Sequence, residues 1–186
     1  MNNNKSLLLI YTGGTIGMIR RETDGSLTPL ELNNMYRYLP VLESIPVNID
    51  FISMENVIDS SDMNPSFWKD LVEIIEANYL KYDGFIILHG SDTMAYTASM
   101  LSFLLQNPPI PVILTGSQLP ILGPDSDGRL NLSDALLAAA GQKGGVTICF
   151  GGAVIKGCRA VKTRTSSLNA FESINYPYLG TVANGR

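Results

Sequence analysis

The chain is poor in the residues that the commonest enzyme chemistries use. It has one histidine, His89, and two cysteines, Cys149 and Cys158, among 186 residues. One cysteine lies in an apolar run and the other beside Arg159, so the pair makes neither a disulfide framework nor a metal-ligand spacing, and a reducing compartment fits. No His/Cys/Asp/Glu cluster has metal spacing. A Ser-His-Asp triad would depend on His89 alone, at the end of an apolar run where packing is the commoner role. Thirteen basic residues stand against seventeen acidic ones, with no Lys/Arg run. That balance leaves no electrostatic footprint for nucleic acid or an anionic membrane surface. No stretch approaches the ~18 apolar residues of a membrane span. The run at 7–11 after Lys5 is shorter than the ~7 to 15 residues of a signal-peptide core. The expectation is a cytoplasmic protein that works on a small molecule, without nucleic-acid or membrane partners and without a metal.

What is present is core. The chain is 45% hydrophobic and only 16% charged, so it can bury a sizeable interior, and its length favours one domain with the possible start of a second. Apolar runs at 7–11, 47–54, 84–89, 112–114 and 146–150 read as strands, and Gly151-Gly152 reads as a turn into a hairpin with 153–155. Helices are expected at 30–39 before Pro40, from Pro65 onward, and at 94–105 and 130–140. The second has a clear start: Asn64 caps it, Pro65 takes the first helical position, and Phe67, Trp68, Leu71, Val72, Ile74 and Ile75 form a core stripe. Asp92 or Thr93 is the expected cap of the third. Residues 18–30, with Asp24-Gly25-Ser26, read as a lid or an ordinary surface loop, and 119–128 as an irregular loop.

Alternating strand and helix predicts a three-layer α/β/α fold around a mainly parallel sheet with right-handed crossovers. Parallel strands send their C-terminal ends to one edge. Polar loops at 12–17, 59–62, 90–93 and 115–118 should therefore converge there. In the first, Gly13, Gly14 and Gly17 free the backbone to turn sharply beside a ligand. Thr12 and Thr15 either bond their own turn or present a hydroxyl, and Thr15 is the candidate nucleophile. The loop reads Gly-Gly-x-x-Gly, a weak match to the dinucleotide fingerprint Gly-x-Gly-x-x-Gly. A threonine needs a base, and Lys162, in the basic and hydroxyl-rich stretch 157–167, is one when neutral. Asp92 would orient Lys162, Ser91 would position a water or relay a proton, and N–H groups near Gly14 and Gly90 could form an oxyanion hole. Together these point to acyl transfer through an ester on Thr15.

The run Tyr11-Thr-Gly-Gly-Thr-Ile-Gly-Met18, with Asp59-Ser-Ser-Asp-Met63, His89-Gly-Ser-Asp-Thr-Met-Ala-Tyr-Thr-Ala-Ser99 and Thr115-Gly-Ser-Gln118, resembles the bacterial-type L-asparaginases, most closely the cytoplasmic type I branch. The resemblance covers nearly the whole chain in order. It implies a flavodoxin-like α/β amidohydrolase that converts L-asparagine and water to L-aspartate and ammonia without a cofactor. By it Thr15 matches the nucleophile, and Ser91, Asp92 and Lys162 match the second threonine, aspartate and lysine. Asp59, Ser60 and Ser61, with Gly14, Gly90, Ser91 and Asp92, match the substrate-binding positions.

Ser91 stands where the family has threonine, which keeps the hydroxyl and loses a packing methyl. Ser26 follows a glycine where type I relatives often place a tyrosine that helps activate the nucleophile. The resemblance also implies homo-oligomers and a second domain. Residues 1–175 are then expected to be the N-terminal catalytic domain and 176–186, turn-rich, the start of a linker to a C-terminal domain. Without that domain the expected turnover is slow or nil. Three other readings remain open: a related amide substrate such as glutamine or an amidated tRNA-bound amino acid, a non-enzymatic amino-acid-binding module, and nucleotide binding at 13–17.

Overall fold

In the computed structural model, residues 4–20, 24–29 and 39–182 are described, so the expected helix at 30–39 lies almost wholly outside the described residues. Five strands run parallel in the order β4 (Val47–Ser53), β1 (Lys5–Tyr11), β5 (Gly84–Leu88), β6 (Pro111–Thr115) and β7 (Gly145–Phe150). The hairpin at Gly151-Gly152 turns β7 back into antiparallel β8 (Ala153–Lys156), and β11 (Gly180–Thr181) pairs with β8 at the margin.

The burial pattern follows from the layers. Leu7 to Leu9 of β1, Phe85 to Leu88 of β5 and Val112 to Leu114 of β6 are buried without alternation, because helices cover both faces of these strands. Leu8, Ile10, Phe85 and Ile87 pack with Phe67 and Leu71 of α1 (Pro65–Asn78) and with Met94 and Leu101 of α2 (Met94–Leu104). Leu7, Leu9, Ile86 and Ile113 face the other way, onto Leu132, Ala135 and Leu136 of α3 (Gly128–Gly141). On β4, by contrast, Val47 and Ile49 are buried while Asn48 and Asp50 are exposed, as suits a strand at the sheet margin. No helix among the described residues is long and apolar enough to cross a membrane.

The chain leaves β1 toward β4 on one side and returns to β5 on the other. The strand order therefore reverses between β1 and β5, and a crevice at such a reversal is where open α/β sheets bind ligands. The loops that follow these two strands carry Thr15 and Asp92.

The start of α1 is as expected: the Asn64 side-chain carbonyl accepts from Ser66 N at 3.1 Å and Phe67 N at 3.3 Å. Asn64→Ala should lower stability by about 1 kcal/mol. Thermal unfolding would show this as a midpoint lower by about 2–4 °C for a chain of this size.

Two segments hold more structure than expected. Within 18–30, β2 (Met18–Arg20) pairs antiparallel with β3 (Leu27–Pro29). Gly25 takes a φ of +71° and Ser26 N donates to Asp24 Oδ1, which closes a turn between them. In the basic stretch, β9 (Ala160–Lys162) pairs with β10 (Phe171–Ser173), so Lys162 ends a short strand.

Candidate active site

The loops at the sheet's C-terminal edge lock together through backbone and glycine. Thr12 donates twice to Leu88 O, from its N–H at 3.0 Å and its hydroxyl at 2.9 Å, while its carbonyl accepts from Ile58 N. Its side chain is therefore structural: it ties the end of β1 to β5. Gly14 has a φ of +83°, and a Cβ there would sit 2.4 Å from both N and Cα of Gly90. A Cβ on Gly90 would in turn meet Ser60 Oγ at 2.5 Å. Three of the four expected loops thus touch at positions where only hydrogen fits.

Thr15 opens a single 3-10 turn, Thr15–Gly17, anchored by Gly17 N to Gly14 O. It is half-buried, and no described residue hydrogen-bonds its hydroxyl. Beneath the turn lies the Tyr11 ring, so close to Gly17 that a side chain there would overlap it. Burial raises the Tyr11 phenol to about 12, which keeps it protonated in the neutral range. Tyr11 supports the turn, a role that its place in an apolar strand run did not announce.

Lys162 reaches across from β9. Its Nζ donates to Ser91 Oγ at 2.9 Å and to Asp92 Oδ1 at 2.7 Å. The lysine side chain is only 12% exposed, while Asp92 is 67% exposed, so the ammonium is sheltered and its counter-ion faces water. Ser91 passes its own proton outward, to Gln118 Oε1 at 3.0 Å. Gln118 then donates from Nε2 to Thr165 O and Ser167 O, at 3.0 and 3.2 Å, which fastens the loop beyond Lys162. Its own N–H is held by the Asp127 carboxylate. Gln118 closes the fourth convergent loop, but its link between Ser91 and the Lys162 loop spans 27 and 47 or more residues and leaves no local pattern to read.

Thr93 takes the N-cap position of α2, as expected, but no side chain caps the helix: Asp92 is drawn to Lys162 in a charge-assisted bond, and the Thr93 hydroxyl donates to Ser60 O at 2.6 Å. That second bond pins the Asp59–Ser60 loop against the start of α2. Asp59 Oδ1 accepts from Ser61 N at 2.9 Å and from Ser61 Oγ at 2.8 Å, and these donors hold its carboxyl below the usual range. Ser60 is buried, Asp59 and Ser61 exposed. The Ser26 hydroxyl is committed to Asp24 Oδ1 at 2.6 Å.

The sheet edge therefore gathers Gly14, Gly90, Ser60, Ser91, Asp92 and Lys162 into contact, with Thr15 one residue from the Gly14–Gly90 junction. His89 lies beneath them, fully buried, and burial lowers its imidazole to about 4. A neutral imidazole enclosed in this way is no partner for a surface serine. Among the described residues no group of three or more His, Cys, Asp and Glu could hold a metal ion. The chemistry on offer is a hydroxyl, an ammonium, carboxylates and backbone N–H groups, which suits polarising and cleaving an acyl bond.

The family model described as "Asparaginase, N-terminal" matches residues 6–186. The chain is 44% identical over 178 residues to L-asparaginase 1 of Escherichia coli (strain K12), covering 94% of this chain and 52% of that protein. It is 38% identical over 176 residues to the L-asparaginase of Thermococcus kodakarensis, covering 95% of this chain and 53% of that one. The solved thermostable L-asparaginase from Thermococcus kodakarensis superposes with a TM-score of 0.90 at 37% identity, over 97% of this chain and 55% of that structure. The chain thus spans about half the length of the curated relatives it matches.

Proposed function

The chain belongs to the asparaginase family, and from that premise we propose that it serves the hydrolysis of L-asparagine to L-aspartate and ammonia through an ester on Thr15. The observation that supports this most directly is the sheltered ammonium of Lys162 on Ser91 and Asp92, set beside the glycine junction that flanks Thr15.

In this reading the Thr15 hydroxyl oxygen adds to the side-chain amide carbon. The oxyanion is met by backbone N–H groups of the Gly14 and Gly90 loops. Lys162 gives a proton to the departing amide nitrogen as the C–N bond breaks, and regains one that originates on Thr15, by way of Ser91. The net change is one proton moved from threonine to ammonia. A water then adds to the ester, its proton returns to Thr15, and aspartate leaves. Asp92 holds Lys162 in place, its Oδ1 accepting from Nζ at 2.7 Å.

The substrate's α-ammonium calls for anionic acceptors, and Asp59 and Asp92 are carboxylates of the gathered loops. Its α-carboxylate calls for donors, and the Ser60 hydroxyl lies alongside. The two hydrogen bonds from Ser61 hold the Asp59 carboxyl below the usual range, which favours its anionic form. Homo-oligomeric assembly and a cytoplasmic setting belong to the same reading, supported by the family relationship alone.

Lys162→Met tests it. The methionine keeps the stem and removes the shuttle, so kcat for ammonia release from asparagine should fall about a hundredfold, with a much smaller change in KM. Ammonia release at the parent's rate would overturn the reading. The same assay run with L-glutamine decides between the two small amides.

A further inference from the structure

The one histidine is part of a hydrogen-bond string that ends at the reaction edge. Trp68 of α1 points its indole Nε1 at Thr97 Oγ1, 2.9 Å away. Thr97 of α2 lies 2.9 Å from His89 Nε2, and His89 Nδ1 lies 2.7 Å from Gly90 O. Thr97 and His89 are both fully buried.

The direction of every bond in the string follows from its two ends. A carbonyl only accepts, so His89 Nδ1 carries the hydrogen and donates to Gly90 O. In the neutral ring Nε2 is then bare and accepts the Thr97 proton, while the Thr97 oxygen accepts from the Trp68 indole, which only donates. Burial lowers the imidazole to about 4, so this neutral tautomer persists through the neutral range. In a planar trans peptide the carbonyl and the next N–H point in opposite directions. Holding Gly90 O toward the imidazole therefore turns the Ser91 N–H away from it.

Resting on the amidase reading above, we propose that His89 is a positioning residue: through its Nδ1–H it sets the Gly90–Ser91 peptide, and with it the direction of the Ser91 N–H and the place of the Ser91 hydroxyl that accepts from Lys162. A residue present only to fill space would have no need of this polarity. An apolar side chain would fill the same volume and leave the Gly90 carbonyl and the Thr97 hydroxyl without their partner.

Asparagine and glutamine separate the two nitrogens. The side-chain amide of an asparagine at 89 falls near the position of Nδ1 and can still donate to Gly90 O, whereas that of a glutamine falls near Nε2 and reaches Thr97 instead. His89→Gln should lower kcat for ammonia release about tenfold with KM shifted far less, as a displaced catalytic loop does. His89→Asn should recover most of that loss. Thr97→Val leaves Gly90 O facing Nδ1, so Nδ1 keeps its hydrogen and this variant should stay much closer to the parent than His89→Gln. Thermal unfolding of each variant identifies any that fails to fold. Nitrogen NMR of the unsubstituted protein should show a protonated Nδ1 and a bare Nε2, and the Ser91 amide resonance should move in His89→Gln and return in His89→Asn. Equal impairment of the two His89 variants, equal activity of both, or a proton on Nε2 would overturn the proposal. If the unsubstituted protein releases no ammonia, a result also expected of this domain by itself, the tautomer and the Ser91 resonance decide the role of His89.

Discussion

Thr15→Ala is expected to lower ammonia release from L-asparagine by at least about four orders of magnitude while leaving L-aspartate binding within a few-fold of the parent. The size of the effect follows from what the residue contributes. In the proposed mechanism Lys162 and Ser91 move protons, and water can replace a proton carrier in part. Of the two threonines in its loop, Thr15 is the one available to form the ester. Thr12, the other hydroxyl in the loop, is committed through both N–H and Oγ1 to Leu88 O at the end of β5. The change should cost little stability, since Thr15 is half-buried and no described residue bonds its hydroxyl. Paired measurements of ammonia release and aspartate binding separate the readings. Loss of release with retained binding supports the nucleophile. Release at the parent's rate removes Thr15 from that role.

The fold was legible where burial alone decides structure. The runs at 84–89 and 112–114 are buried on both faces and read as strands because no periodicity interrupts them, and Asn64-Pro65 announced α1 through local bonds that the structure contains. Local rules failed where a distant partner outbid a near one. Asp92 and Thr93 have the chemistry of caps, yet Lys162, 70 residues away in sequence, takes the first and Ser60, 33 residues away, takes the second. The β2–β3 ribbon was hidden because Asp24-Gly25-Ser26 and Pro29 are loop residues by composition, and only the pairing of Met18 with Pro29 makes strands of the flanks.

For the site, the convergence of loops follows from a parallel sheet, so Thr15, Ser60, Ser91 and Asp92 could be grouped before any coordinates. The likeness to the asparaginases supplied Lys162's correspondence. The geometry adds that the lysine ends β9, 70 residues beyond its carboxylate partner. Gln118 and His89 were under-read for one reason. Each acts through its amide or imidazole on a backbone carbonyl, and carbonyls are absent from any reading of side-chain types.

Gly14→Ala is the largest expected loss of stability, and it tests the contact that brings the β1 and β5 loops together. Two costs add. At φ +83° and ψ 168° the backbone lies in a region kept almost entirely for glycine, which costs an alanine about 1–3 kcal/mol. The new methyl would also lie 2.4 Å from N and Cα of Gly90. Backbone atoms cannot rotate aside as a side chain would, so relieving the overlap should cost a further 1–3 kcal/mol or so. The sum, about 2–6 kcal/mol, should lower the unfolding midpoint by on the order of 10 °C. Gly25→Ala is the matched control: its φ is +71°, and a methyl there meets nothing within 4 Å. It should carry only the backbone cost, about 1–2 kcal/mol. The difference between the two variants isolates the Gly14–Gly90 contact. Any relaxation that accommodates the methyl must move Gly90, so ammonia release should fall in Gly14→Ala even at temperatures where the protein is fully folded. Equal midpoints for the two variants would mean that the loops stand apart, and Thr15 and Lys162 would then have no common edge on which to act.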